Sequence, residues 1–371
     1  MEAKVCYKCK SKKATVNTRF LSCIDCFNLY IENNVRREVR TGPIEKLKKL
    51  KFGFQSNMRP RLELYVALGF GLSSQAILDL LSRTSNTGKI PEYYIKSFIN
   101  VDTSPLVNKD PSEYYESVNS YIESKYFNVF DIGKHNSPPK LHVIPFCSSF
   151  ICDEASSDNE QWRQMIIDEI KVLISRGSDH VKLLIQLIIL RDIKCYLDRV
   201  DTSQHKCLVL ASTSESMGSE SFQYMTLASG IHIKSIYDIL DSRWPSDESV
   251  LFLIRPFRNL TLKEVILYWK FNISDFINSS IGAEISINRS PIEDEVSRFV
   301  ISQNEKISNI THIFVKLSES SKVEHCPNDH GVEKKIFCIF CGVPGVRVFI
   351  HKYCRVCYTL LKKLNILDLN K

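Results

Sequence analysis

Two groups of four cysteines, one near each end of the 371-residue sequence, carry the clearest chemical pattern in this chain. Each group consists of two Cys-x-x-Cys pairs. Such a pair presents two thiolates on one side of a tight turn, and two pairs supply the four ligands of a tetrahedral zinc ion. Because protein ligands fill every position, the pattern predicts two structural zinc sites and no metal catalysis. The predicted ligands are Cys6, Cys9, Cys23 and Cys26 in the N-terminal group, and Cys338, Cys341, Cys354 and Cys357 in the C-terminal group.

Each group also has a competing interpretation. The N-terminal cysteines could be four free thiols in a lysine-rich loop, although residues 10–22 between the pairs offer little apolar content with which to fold unaided. A metal could supply about 10–16 kcal/mol of apparent binding free energy to such a segment. Near the C-terminal group, Cys326 and His330 could compete as ligands or belong to a larger site.

A second pattern is the stretch LYVALGFGLSSQAILDLL, residues 64–81. A strand, a turn of small residues and a helix form a phosphate-binding loop when backbone N–H groups and the helix N-terminus face the anion. Phe70 stands in the turn, where its side chain would crowd a phosphate or instead pack inward and support the turn. The residues alone leave open a working nucleotide loop, a damaged one, or only a strand that meets a helix.

The elements that must position these patterns alternate from about Arg59 onward. Strand-like segments followed by helical periodicity predict an α/β fold with a mainly parallel sheet and helices on both faces. Thr261 and Glu264 predict a capping box at the start of the helix in TLKEVILYWKF. The predicted segments are an N-terminal zinc module at 1–35, a basic helical linker at 36–58, the α/β domain at 59–320 and a C-terminal zinc ribbon at 321–371.

Composition narrows the class of protein. No apolar run is long enough to span a bilayer, and the N-terminus lacks the apolar core of a signal peptide, so we expect a cytoplasmic protein with no membrane partner. In a reducing compartment, clustered cysteines bind metal more often than they form disulfides. The net charge of +7 permits nucleic-acid binding but does not demonstrate it.

A basic stretch, NNVRREVRTGPIEKLKKLKF, follows the first cysteine group, and we predict two short helices broken at Gly42-Pro43. Its side chains suit contacts with RNA phosphates, but the competing interpretation is a solvated helical face, because Glu38 and Glu45 reduce the charge. The predicted RNA-binding residues are Arg36, Arg37, Arg40, Lys46, Lys48, Lys49 and Lys51. Further basic surface in the zinc modules is predicted at Lys8, Lys10, Lys12, Lys13 and Arg19, or at Lys334, Lys335, Arg347, Lys352 and Arg355.

Several of these segments together resemble the cytoplasmic tRNA 2-thiolation protein 2 family. The first cysteine group with its basic helix, then VALGFGLSSQAILDLL, then IRPFRNLTLKEVILYW, then the last Cys-x-x-Cys pairs occur in that family's order. The resemblance implies a domain like that of the PP-loop ATP pyrophosphatases. It also implies a catalytic homologue as partner, tRNA as substrate of the complex, and sulfur delivered to the wobble uridine by a thiocarboxylated ubiquitin-like carrier.

The loop departs from the catalytic relatives of that family, which carry Ser-Gly-Gly-x-Asp-Ser. Both the first serine and the aspartate are missing, and Phe70 replaces a glycine. If the turn needs a positive φ at Phe70, a non-glycine residue there costs about 1–2 kcal/mol. The resemblance therefore implies a degenerate nucleotide loop and no ATP cofactor. Its residues are Gly69, Phe70, Gly71, Leu72, Ser73 and Ser74.

A second departure concerns sulfur chemistry. Active relatives have Gly-His-Asn-x-Asp-Asp after a later strand, where this chain has Ala-Ser-Thr-Ser-Glu-Ser at residues 211–216. They also carry a Cys-x-x-Cys pair before that strand and a further cysteine after the helix that matches LKEVILYW. This chain lacks those cysteines, so an iron–sulfur cluster is not expected.

Three functions follow from these observations. The first is a non-catalytic subunit that holds tRNA, the catalytic homologue, or both. The second is an active ATP-dependent tRNA sulfurtransferase with an altered loop. The third is a zinc-bearing interaction protein unrelated to tRNA. The degenerate loop and the missing cysteines argue against the second, and the ordered set of matching segments argues against the third.

Overall fold

A six-stranded sheet forms the centre of the structure, which we describe from a computed structural model. Its strands are β3 (Leu62–Ala67), β4 (Tyr93–Asp102), β5 (Leu141–Pro145), β6 (His205–Leu210), β7 (Asp241–Arg243) and β8 (Val250–Ile254), and a separate hairpin near the N-terminus pairs β1 (Val16–Asn17) with β2 (Leu21–Ser22). The structure describes residues 5–18, 20–41, 43–44, 62–85, 93–126, 139–150, 157–227, 230–238, 240–245, 249–273, 294–296, 298–299, 301–302, 337–343 and 353–364.

The α-helices with assigned bounds surround the strands. They are α1 (Ile24–Arg36), α2 (Leu72–Ser85), α3 (Ser112–Tyr126), α4 (Ser157–Ser175), α5 (Val181–Val200), α6 (Ser214–Thr226), α7 (Gly230–Tyr237), α8 (Leu262–Asn272) and α9 (Arg355–Lys363). The predicted capping box of α8 is confirmed, since Thr261 Oγ1 accepts from the Glu264 N–H and Glu264 accepts from the Thr261 N–H. None of the helices that the structure describes is long and apolar enough to cross a membrane.

The strand order is β5–β4–β3–β6–β8–β7, and only β7 runs antiparallel to its neighbour. From β3 the chain first builds outward through β4 and β5, and it then returns to the other side of β3 to form β6 and β8. The strand order therefore reverses between β3 and β6. In open parallel sheets, ligands bind at the carboxyl ends of the strands at such a switch point.

Alternating side chains divide the core into two. In β3, Leu64 and Val66 point to one face, which we call face A, while Tyr65 points to the opposite face, face B. Helices α1, α2, α3 and α8 cover face A, and α4, α5, α6 and α7 cover face B together with the C-terminal cysteine segment. The predicted α/β architecture with helices on both faces is thus confirmed. The predicted domain boundaries stay predictions.

Candidate functional site

The N-terminal cysteines converge on one point. Cys6 and Cys9 lie in a tight turn that Lys10 closes with a left-handed backbone (φ 54°) and an N–H donated to the Cys6 carbonyl. Cys23 is the N-cap residue of α1 and Cys26 lies in its first turn. All four Sγ atoms lie within 4.8 Å of one another, and those of Cys9 and Cys23 are 3.9 Å apart.

The C-terminal cysteines repeat this arrangement in a buried setting. Gly342 follows Cys341 with φ 71° and donates its N–H to the Cys338 carbonyl, and Cys354 is the N-cap residue of α9. The four Sγ atoms again lie within 4.8 Å, and those of Cys341 and Cys354 are 3.8 Å apart. All four residues are at most 2% exposed.

Both groups fit a single tetrahedral metal ion. Thiolates at about 2.3 Å from a central zinc ion are about 3.8 Å apart, which matches the observed sulfur separations. Without a cation the thiols do not ionise together. Hydrogen bonds from Ser11 lower the pKa of Cys9 to about 5, whereas the hydrogen bond to Cys23 raises the pKa of Cys26 to about 12. A divalent ion would stabilise all four thiolates at once.

Residues at the edge of the sheet pack against the C-terminal cysteine group. Trp244, just after β7, donates its backbone N–H to the Gly342 carbonyl and its indole N–H to Ile339. A Cβ atom on residue 342 would lie 2.3 Å from the Trp244 ring, so only glycine fits there. Arg243 Nη1 also donates to the Cys341 carbonyl.

His232, in α7, lies directly against the C-terminal sulfurs. Its Nε2 atom is 3.5 Å from Cys341 Sγ and 3.6 Å from Cys354 Sγ, and the ring is fully buried. It stacks on Tyr224 with ring centroids 4.6 Å apart. With its proton on Nε2, this imidazole would donate to metal-bound thiolates from outside the ligand set. The sequence offered no signal for this contact, because His232 lies 109 residues from Cys341.

The predicted nucleotide loop lies at the carboxyl end of β3, on one side of the switch point. The backbone N–H of Gly69 donates to Ser74 Oγ at 2.9 Å, and the Gly69 carbonyl accepts from Tyr114 Oη at 2.7 Å. Phe70 does not crowd the space before the loop. Its ring packs inward on Tyr114 and Tyr115, with centroids 5.0 and 6.0 Å away, and it is 7% exposed.

None of residues 69–74 has a positive φ. The strain that a left-handed turn would impose on Phe70 is therefore absent, and the inward orientation explains why a phenylalanine is tolerated. A Cβ atom on Gly71 would meet no atom within 4 Å, so the space beside the loop is open.

Glu215 occupies the other side of the switch point. It follows β6 in the first turn of α6 and is 9% exposed. Its Oε2 atom accepts from the Leu262 N–H at 2.7 Å and from Ser214 Oγ at 3.1 Å. An internal carboxylate thus fills the position at the N-termini of α6 and α8 that an anion would otherwise favour.

Helix α2, which begins at the loop, is anchored by Asp79. This carboxylate is 1% exposed and accepts from Tyr121 Oη at 2.5 Å and Tyr268 Oη at 2.6 Å, and Arg83 lies 2.7 Å away. The contacts tie α2 to α3 and α8. Sequence reasoning missed Asp79 because its partners lie up to 189 residues away.

The predicted basic segment is described only in part. Arg36, Arg37 and Arg40 are partly or fully exposed at the end of α1 and in the π-helical turn Arg37–Thr41 that follows it. Glu38 is buried, and it pairs with Arg258 Nε at 2.8 Å as well as with Arg37 Nη2 at 3.1 Å, so it offsets part of the charge of the exposed Arg37. Its carboxylate also accepts from the Asn259 amide at 2.9 Å. Lys46, Lys48, Lys49, Lys51, Cys326 and His330 lie outside the described residues.

Helix α1 runs along face A between the two ends of the sheet. Near its start, Phe27 meets Phe271 at the end of α8, whereas Glu38 beyond its end meets the residues that precede α8. The N-terminal cysteines therefore lie about 20 Å, the length of α1, from the carboxyl ends of the strands.

Comparison with known proteins finds matches among solved structures. No family model matches the sequence, and no curated protein matches it. One solved structure, "U34-tRNA thiolase NcsA from Methanococcus maripaludis with its [4Fe-4S] cluster", superposes with a TM-score of 0.53 over 92% of this chain and 96% of that chain. This chain shares the overall fold of that thiolase. The sequences are 14% identical, so the likeness extends to the fold and not to the site residues.

Proposed function

We propose that this chain is a non-catalytic subunit of a complex that 2-thiolates the wobble uridine of tRNA. The proposal joins the resemblance to the cytoplasmic tRNA 2-thiolation protein 2 family with the end-to-end likeness to a U34-tRNA thiolase. In it, the chain holds a catalytic homologue and tRNA, and the sulfur arrives on a thiocarboxylated ubiquitin-like carrier.

The hydrogen bonds of Glu215 are the main support for a non-catalytic role. Its buried carboxylate uses the Leu262 N–H and the Ser214 hydroxyl, two donors at the start of α8 and α6 on the β6–β8 side of the switch point. A nucleotide phosphate that approached this edge would meet a negative charge rather than free donors. On the β3 side, Ser73 stands where the catalytic relatives have an aspartate, and the Gly69 N–H is already bonded to Ser74.

The proposal assigns one zinc ion to each cysteine group and no iron–sulfur cluster to the middle of the chain. The sulfur separations and the burial support single ions. Of the other cysteines in the described ranges, Cys147, Cys195 and Cys207 form no group of three or more with neighbouring ligands. Elemental analysis of the purified protein should give close to two zinc ions and no iron per chain. A stoichiometric amount of iron would overturn this assignment.

The central experiment is deletion of the protein from the cells that produce it. Loss of the subunit should remove 2-thiouridine from wobble positions, which is visible as the loss of retarded tRNA bands in gels that contain a mercury reagent. Re-expression of the wild-type chain should restore the bands. Thiolated tRNA at normal levels in the deletion strain would refute the tRNA assignment.

A second experiment separates the subunit role from catalysis. The purified chain with Mg²⁺-ATP, a sulfide source and unmodified tRNA should yield no 2-thiouridine, and calorimetry should detect no tight ATP binding. Adding the catalytic homologue that co-purifies from cells should give product. Thiolation by the isolated chain would keep the tRNA assignment but place the catalyst in this subunit.

A further inference from the structure

The surface of the N-terminal cysteine module carries a pair of stacked aromatic rings. Tyr7 lies between Cys6 and Cys9, and Phe20 directly precedes β2. Their ring centroids are 5.8 Å apart and their planes differ by 15°. Tyr7 is 71% exposed and Phe20 is 55% exposed. The rings are therefore stacked with a lateral offset, and both remain largely open to solvent.

A single exposed aromatic residue needs no explanation, but this pair is contiguous. Val5, which pairs with Lys13 across the same small module, is also 55% exposed. The two rings are not part of the buried core. The buried apolar side chains of this segment are others, such as Val16 and Phe27, which pack on face A. Cross-strand contact between two aromatic rings can stabilise a hairpin, yet that role does not require two open π-faces.

The charge around the rings is positive. From Val5 to Ile31 the sequence has one acidic residue, Asp25, and five basic residues. Lys12 pairs with Asp25, whereas the exposed residues Lys8, Lys10 and Lys13 make no ion pair that the structure describes. Exposed aromatic faces among lysines form the combination by which proteins bind unpaired nucleotides, because bases stack on the rings and lysines contact the phosphates.

We propose that Tyr7 and Phe20 are a stacking platform for unpaired bases of RNA, with Lys8, Lys10 and Lys13 as its phosphate contacts. The proposal rests on the proposed function, which makes tRNA the RNA that is bound. A base-paired stem is a poor ligand for the platform, because its bases already stack on one another and its deep groove excludes side chains. The platform lies about 20 Å from the carboxyl edge of the sheet, so it acts as a separate RNA contact.

The test uses the full-length, metal-loaded chain and three RNA probes: an unmodified tRNA transcript, a hairpin with a seven-nucleotide loop and a blunt duplex. The variants Tyr7→Leu and Phe20→Leu keep an apolar contact within the module but remove a π-face. Each should weaken binding to tRNA and to the hairpin by at least about 5-fold, with little change for the duplex. Tyr7→Phe and Phe20→Tyr should bind like the wild type.

Trp162→Leu is the matched control, because Trp162 is an exposed aromatic residue on α4, away from the module (40% exposed). It should leave RNA affinity unchanged. Zinc content, which should stay close to two ions per chain, shows whether Tyr7→Leu and Phe20→Leu leave the module folded.

The outcomes separate the two proposals. A wild-type chain that binds tRNA, with zinc-loaded Tyr7→Leu and Phe20→Leu variants of equal affinity, would overturn the platform but leave the tRNA assignment intact. Equal wild-type affinity for the hairpin and the duplex would also overturn it. A wild-type chain that binds none of the three RNAs would overturn the platform and the direct tRNA contact together, while the deletion experiment would still decide the role in thiolation.

Discussion

Replacement of His232 by phenylalanine tests the architecture of the C-terminal cysteine group. The change keeps a ring that can stack on Tyr224 but removes the nitrogen Nε2, which lies 3.5 Å from Cys341 Sγ and 3.6 Å from Cys354 Sγ and would donate its N–H to metal-bound thiolates. Those sulfurs are at most 2% exposed, so water does not replace the lost donor. A metal ion with four thiolates carries a net negative charge that this N–H helps to stabilise.

Loss of such an outer partner weakens metal binding by about 10- to 100-fold, or roughly 1.4–2.7 kcal/mol. The assay is the release of metal to a chromogenic chelator, followed by absorbance. The wild type should show two phases, a faster one from the N-terminal group, where Cys9 is exposed, and a slower one from the buried C-terminal group. His232→Phe should accelerate the slow phase alone, and the N-terminal group then serves as the control within the same molecule.

Two further variants make the result decisive. Cys9→Ser should remove the fast phase and so assign it. His232→Gln, whose amide can donate an N–H, should recover part of the slow rate. If His232→Phe releases its metal at the wild-type rate in both phases, the imidazole does not support the thiolates and our reasoning about the group is wrong.

Three more predictions follow from single contacts. Phe70→Gly should not create ATP binding that calorimetry can detect, because the Phe70 side chain does not cover the loop. The variant should lower the free energy of unfolding in urea by about 3 kcal/mol or more, because it removes a ring that packs inward on Tyr114. Asp79→Ala should cost about 3–5 kcal/mol in the same assay, since it strips a buried carboxylate from two tyrosines and an arginine. Gly342→Ala should reduce bound metal from two ions to one by elemental analysis, because its Cβ would collide with Trp244.

The features that the sequence predicted correctly are those that depend on residues close together in the chain. The spacing of the Cys-x-x-Cys pairs was sufficient to predict that each group of four cysteines converges, because each turn places its own two sulfurs. The capping box at Thr261 was predictable for the same reason. Alternation of strands and helices likewise predicted a parallel sheet with both faces covered.

Contacts between distant segments were beyond sequence reasoning. The orientation of Phe70 depends on Tyr114, which is placed by α3, and the burial of Glu38 depends on Arg258. The strand β7 has only three residues, too few for a periodic signal, although its edge position brings Trp244 to the cysteines. In each case the deciding partner is supplied by the assembled sheet and not by neighbouring residues.

Glu38 and Asn259 are 221 positions apart, so the ribosome makes the N-terminal segment long before this contact can form. At about 5–20 residues per second, a ribosome that has made Glu38 needs roughly 10–45 seconds to reach Asn259. During that interval β3 and α2 are made, but α8 and the residues that precede it, which complete face A along α1, are still missing. A metal ion bound by the four cysteines would stabilise the hairpin throughout this interval, so the supply of metal would matter to this protein from the first seconds of its translation.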